Sequence, residues 1–134
     1  MFTGKKFLIV DNSRTIRLQI KMMLQNEGAF LVDVGTEWGM TTKIEEYGVL
    51  ADLIIMDLIL NSEDGLELIK KLKANLTFKY IPIIIISEKV DINTILIAKE
   101  LGVRSYLKKP FKKAELISRI TDALQRTANE KVQS

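Results

Sequence analysis

Four apolar runs of this chain each end on a residue that can handle a phosphoryl group: FLIV closes on Asp11, DLIIM on Asp57, IPIIII on Ser87, and SYLK on Lys109 ahead of Pro110. A carboxylate held at a strand end is preorganised as a nucleophile, and attack by Asp57 on phosphorus would give an acyl phosphate. Asp11 and Asn12, together with Asp57, make an oxygen-rich cluster suited to a hard divalent ion such as Mg²⁺. Such an ion offsets the repulsion between carboxylates and incoming phosphoryl oxygens. The Ser87 hydroxyl can donate to a phosphoryl oxygen, and the Lys109 ammonium can pair with Asp57 at rest and with the phosphoryl group afterwards. Each residue also has a plainer reading: a loop or cap carboxylate for Asp57, a helix cap for Asn12 or Ser13, a turn serine, a surface lysine. Joint occurrence, in order and each at a strand end, favours the phosphoryl site.

Positioning these groups on one edge requires parallel strands, and the periodicity supplies them. Short β-branched runs alternate with stretches of helical spacing, the pattern of βαβ units. Strands are predicted at Lys6 to Val10, Leu31 to Val34, Leu53 to Met56, Ile81 to Ile86 and Arg104 to Leu107. The middle ones are apolar on both faces, as strands covered by helices on both sides must be. Between them, Ile16, Ile20, Met23 and Leu24 repeat at helical spacing before Gly28. Further helices are predicted from about Thr36 to Tyr47, Gly65 to Ala74, Asp91 to Leu101 and Lys112 to Arg126. Right-handed crossovers with helices on both faces require the strand order to reverse, and the order 2-1-3-4-5 does so between the first and third strands. The expectation is an α/β, (βα)5 doubly wound five-stranded sheet of flavodoxin-like type. Asp11 and Asp57 then sit side by side at the switch point.

Composition narrows the chemistry. The 134 residues contain no Cys and no His, which removes disulfides, thiolate nucleophiles, Cys or His zinc sites and every imidazole-based triad. The segment MFTGKKFLIVDNS has only a short apolar run before Asp11 and is not a signal peptide. The longest apolar stretch, VLADLIIMDLIL, is interrupted by Asp52 and Asp57 and falls short of the roughly 20 residues of a membrane span. A soluble cytoplasmic protein without membrane attachment is expected. The net charge of +3 comes with scattered lysine pairs and no basic recognition helix or aromatic RNA-binding signature, so direct nucleic-acid binding is not expected.

The segments FLIVDNSRTIR, LIIMDLILNSEDGLELIKKLK, IPIIIIS and SYLKKPF together resemble the receiver domain of two-component response regulators, most closely a stand-alone chemotaxis-type regulator. The resemblance runs from about Lys6 to Leu124, so residues 1–126 are expected to form the receiver domain and 127–134 a frayed polar tail. It implies that Asp57 is the phosphoacceptor, served by a histidine kinase or histidine phosphotransfer protein. It implies that Asp11, the position of Asn12, Asp57 and the backbone carbonyl of Ile59 hold Mg²⁺. Ser87 corresponds to the switch hydroxyl, Lys109 to the phosphoryl-contacting lysine, Tyr106 to the switch aromatic, and Asp64 with Gly65 to the turn opening the third helix. Signalling in this family uses the face of the fourth helix, fifth strand and fifth helix, here carrying Tyr106, Lys108, Lys112 and Lys113, toward a downstream protein target that the sequence does not name. A chain without histidine receives from a histidine elsewhere.

Three positions depart from the family pattern. Asn12 stands where a second adjacent acid is usual. At about 4 Å and an effective dielectric near 20, each unit of charge product is worth roughly 4 kcal/mol before desolvation, so weaker Mg²⁺ binding is expected. Asn61 replaces a common proline, and Glu88 replaces a small residue beside Ser87. Asn12 also makes a second function class credible: a protein-binding module that keeps the fold without using phosphorylation. An aspartyl-phosphate phosphatase is disfavoured, because Ser13 and Ile59 occupy the positions two residues after Asp11 and Asp57 where a second carboxylate is needed. A flavin site is disfavoured by the lack of a phosphate loop after the first strand.

Overall fold

The computed structural model describes residues 1–36, 39, 42, 46, 51–59, 65–88 and 91–133. Strands β1 (Lys6–Val10), β2 (Phe30–Val34), β3 (Leu53–Asp57), β4 (Ile83–Ser87) and β5 (Ser105–Lys108) form one parallel sheet in the order β2-β1-β3-β4-β5. The described helices are α1 (Arg14–Leu24), α2 (Gly65–Ala74), α3 (Ile92–Glu100) and α4 (Lys113–Gln133). The predicted helix from Thr36 to Tyr47 lies largely outside the described residues; Gly39, Thr42 and Glu46 are helical. Asn61 and Asp64 also lie outside the described residues.

The continuous apolar runs resolve into two cores. Phe7 and Ile9, Leu53 and Ile55, and Ile84 and Ile86 pack with Ile20 and Leu24 of α1 and with Leu116 and Ile120 of α4. The alternate residues Leu8 and Val10, Ile54 and Met56, and Ile83 and Ile85 pack with Leu68, Ile69 and Leu72 of α2 and Ala98 of α3. Strand alternation thus feeds both faces, which is why no polar face appears in the central strands.

Local signals explain the helix ends. Ser13 caps α1, its Oγ accepting from the Ile16 N–H at 3.2 Å, and Asp91 caps α3 by accepting from Thr94 N–H at 2.8 Å. The left-handed residue that follows the α1 cap Gln25 is Asn26, at φ +72°, a conformation asparagine tolerates; the expected stop Gly28, at φ +91°, lies two residues further on, in the connection to β2. At the C-terminal end, α4 does not stop near Arg126: it continues to Gln133, with Arg104 and Glu130 4.0 Å apart beside it. Among the described residues no helix is long and apolar enough to cross a membrane.

Candidate functional site

At the carboxyl edge of the sheet, adjacent strands β1 and β3 deliver two acids. Asp57 continues the alternation of Leu53 and Ile55, and Asp11 follows Val10 directly. Both are buried, Asp11 to 1% exposure and Asp57 to 9%. Between them lies the ammonium of Lys109, whose Nζ donates to Asp11 Oδ2 and to Asp57 Oδ2, each at 2.7 Å. Burial alone would lower the lysine's affinity for its proton, but the two carboxylates outweigh it and hold its pKa above the ordinary value. The Lys109 backbone N–H donates to the Ser87 carbonyl at 2.8 Å, which fixes the lysine's root against the end of β4; the following Lys109–Pro110 bond is cis.

The other carboxylate oxygens are also engaged. Asp11 Oδ1 accepts from Ser13 N–H at 2.7 Å, and Asp57 Oδ1 accepts from Ile59 N–H at 3.0 Å. The Asn12 amide donates through Nδ2 to the Ile59 carbonyl at 3.1 Å. Gly65 brings α2 close beneath this loop: its N–H donates to the Leu58 carbonyl at 3.0 Å. A Cβ at Gly65 would lie 2.6 Å from that oxygen and 2.7 Å from the Leu58 Cα, so only glycine fits.

Ser87 and Tyr106 lie on one face. Ser87 continues the alternation of Ile83 and Ile85 and is buried to 1%. Tyr106, paired in register with Ile85, packs against the core on the α2 and α3 side. Its hydroxyl donates to Val103 O at 2.7 Å and lies 3.2 Å from Ile95 O, tying β5 to α3 and its exit. Burial raises the phenol's pKa.

One supporting network escaped the sequence reading. Arg17 donates through Nη1 to the Asp11 backbone carbonyl at 2.5 Å and through Nε to Asp33 at 2.9 Å, while Lys21 Nζ donates to the other Asp33 oxygen at 2.9 Å. Burial acts to raise the Asp33 pKa, but the bonds to Lys21 and Arg17 prevail and hold it below the usual carboxylate value. The available signal was Arg17 and Lys21 one turn apart on a helix that packs beside a strand bearing a single acid.

Hard oxygen donors of the kind Mg²⁺ prefers therefore converge here, two carboxylates and the Ile59 carbonyl, with the Asn12 amide nitrogen facing that carbonyl. Their chemistry fits that ion, although no group of three acidic side chains is placed to hold a metal among the described residues.

A doubly wound parallel sheet carrying two acids and a lysine at its carboxyl edge defines a class, and the family described as response regulator receiver domain matches residues 7–121. The chain belongs to that family, a component of two-component systems. It is 27% identical over 126 residues to the DNA-binding response regulator MtrA of Mycobacterium tuberculosis, covering 94% of this chain and 53% of that one. The Mycobacterium leprae protein of the same name gives the same identity, with 54% of its length covered. The chain thus spans about half the length of these relatives. Among solved structures, a two-component response regulator from Clostridium difficile superposes with a TM-score of 0.81 at 26% identity, covering 91% of this chain and 97% of that one. A CheY-like receiver domain protein from Methanospirillum hungatei superposes at 0.85 and 23% identity, covering 96% and 99%, and shows the fold alone.

Proposed function

We propose that the chain is a phosphorylation-dependent signalling switch in which Asp57 accepts a phosphoryl group from a phosphohistidine on a histidine kinase or phosphotransfer protein. The observation that carries this reading is the Lys109 ammonium held at 2.7 Å from both Asp57 and Asp11. That ion pair holds the Asp57 carboxylate in place and sets a cation where phosphoryl oxygens arrive. An Asp57 oxygen forms the new O–P bond as the N–P bond of the donor breaks, the electron pair leaving on the imidazole nitrogen. Asp11, Asp57 and the Ile59 carbonyl, with Asn12 alongside, would hold Mg²⁺, which when bound would supply charge neutralisation for that transfer. Lys109 then turns toward the phosphoryl oxygens, Ser87 donates to one of them, and Tyr106 transmits the shift to α3, β5 and α4, the surface offered to a downstream protein.

A groove of about 690 Å³ runs from Lys109 between α1 and the start of α4, lined by Ile16, Met22, Met23 and Phe111 with Glu88 at its polar end. It shares Lys109 with the site, so the donor protein's apolar surface lies here while its phosphohistidine reaches Asp57. The competing reading, a binding module that does not use phosphorylation, draws on the Asn12 amide closing over the Ile59 carbonyl. Intact mass after incubation with acetyl phosphate separates the two. One added phosphoryl group that requires Mg²⁺ and is absent from Asp57→Asn supports the switch; no addition at any Mg²⁺ concentration rejects it.

A further inference from the structure

The contact between Asn12 and Ile59 does more than subtract a charge from the site. A carbonyl oxygen can only accept, so the amide must present Nδ2 to Ile59 and turn Oδ1 away from it. The same residue is held from its other side, because the Ile59 N–H donates to Asp57 Oδ1 at 3.0 Å. All four carboxylate oxygens of Asp11 and Asp57 have protein donors: Ser13 N–H, Ile59 N–H and, twice, Lys109. The resting site is therefore tied across β1 and β3 by its own side chains.

We propose that Asn12 is a latch: in the ion-free protein its amide clamps Ile59, just after β3, to the turn after β1, and a divalent cation that ligates the Ile59 carbonyl repels the partly positive amide N–H and so displaces it. The inference rests on the proposed function only in taking this carbonyl as an ion ligand. An aspartate at position 12 could not form the latch, since it has no proton to give a carbonyl at neutral pH. With asparagine at this position the two turns are tied without an ion. Ion binding and latch release become the same event, and the loop after Asp57 loosens from Asn12 only when the ion or the phosphoryl group takes over the tie.

Asn12 is exposed, so substitution there leaves folding intact. The test is amide hydrogen exchange at Ile59 in chelator-treated protein, together with calorimetric titration by Mg²⁺, for wild type, Asn12→Ala and Asn12→Asp. The latch predicts that Asn12→Ala speeds exchange at Ile59 about fivefold, the equivalent of one ordinary hydrogen bond, and binds Mg²⁺ at least as tightly as wild type. Asn12→Asp should exchange as fast and bind Mg²⁺ tighter still. If Asn12 instead serves as an ion ligand with no latching role, Asn12→Ala binds Mg²⁺ more weakly and exchange at Ile59 is unchanged; either result overturns the proposal. Neither measurement uses a phosphodonor, so a protein that shows the latch pattern yet takes no phosphoryl group would refute the switch while leaving the latch standing.

Discussion

Removing the Lys109 ammonium should unmask the electrostatic core of the site. Its Nζ is 2.7 Å from an oxygen of each acid, and the side chains of Lys109, Asp11 and Asp57 are 8%, 2% and 13% exposed. At that distance and an effective dielectric near 20, each contact carries roughly 6 kcal/mol of attraction, most of it offset by the desolvation of all three groups. What Lys109→Met exposes is the uncompensated remainder, two buried carboxylates on neighbouring strands without their cation. Breaking a buried ion pair from one side costs about 3–5 kcal/mol, which for a domain of this size lowers Tm by roughly 10–15 °C. Adding Asp11→Asn to Lys109→Met should restore much of the stability, a non-additivity of at least about 1 kcal/mol. Urea denaturation of the single and double variants in chelating buffer at pH 7 measures all of this. A loss below about 1 kcal/mol, or one that Asp11→Asn does nothing to relieve, would refute the account of Lys109 as the shared counter-charge.

Three further outcomes are expected. Asp33→Asn should cost about 1–2 kcal/mol at pH 7, the scale of hydrogen bonds to a charged group. Because the folded Asp33 pKa is lowered, its contribution is present above the unfolded value near 3.9 and is lost as pH falls through the folded one. Urea curves for wild type and variant should accordingly converge at strongly acid pH. Gly65→Ala should destabilise the fold by about 1–3 kcal/mol and slow phosphoryl uptake from acetyl phosphate, since its methyl meets the Leu58 backbone beside the site. Tyr106→Phe removes the bond to the Val103 carbonyl and should cost about 1 kcal/mol in thermal denaturation, with phosphoryl uptake on Asp57 unchanged.

Much of this was legible in the residues. Uninterrupted apolar runs specify strands covered on both faces, and their carboxyl ends place Asp11, Asp57 and Lys109 on one edge because parallel strands all point the same way. Boundaries moved only slightly: β4 is Ile83–Ser87 rather than Ile81 to Ile86, since Ile81 and Pro82 lead into the ladder before its pairing with Ile54 begins. The sharing of Lys109 between two acids was not legible, because sequence spacing orders residues along strands but does not say which of two neighbouring carboxylates a flexible side chain reaches. Arg17 and Asp33 escaped for a related reason, as charges on a helix and an edge strand read as solvated until packing brings them together. The orientation of the Asn12 amide depends on a carbonyl forty-seven positions away and has no local signal. The length of α4 was underestimated because its last turns are polar, with Arg104 on the neighbouring loop standing opposite Glu130.

That helix gives the molecule a lever. Its 21 residues extend about 32 Å at 1.5 Å per residue, whereas a five-residue strand such as β4 covers only about 17 Å. Its first turn follows Lys109 and Pro110 at the chemical edge of the sheet, and its last turns run past the opposite edge. A tilt of about 5° at Lys113 therefore sweeps the far end through nearly 3 Å over that length. A displacement too small to notice beside Asp57 becomes, at the other end of the molecule, a step about as long as a hydrogen bond.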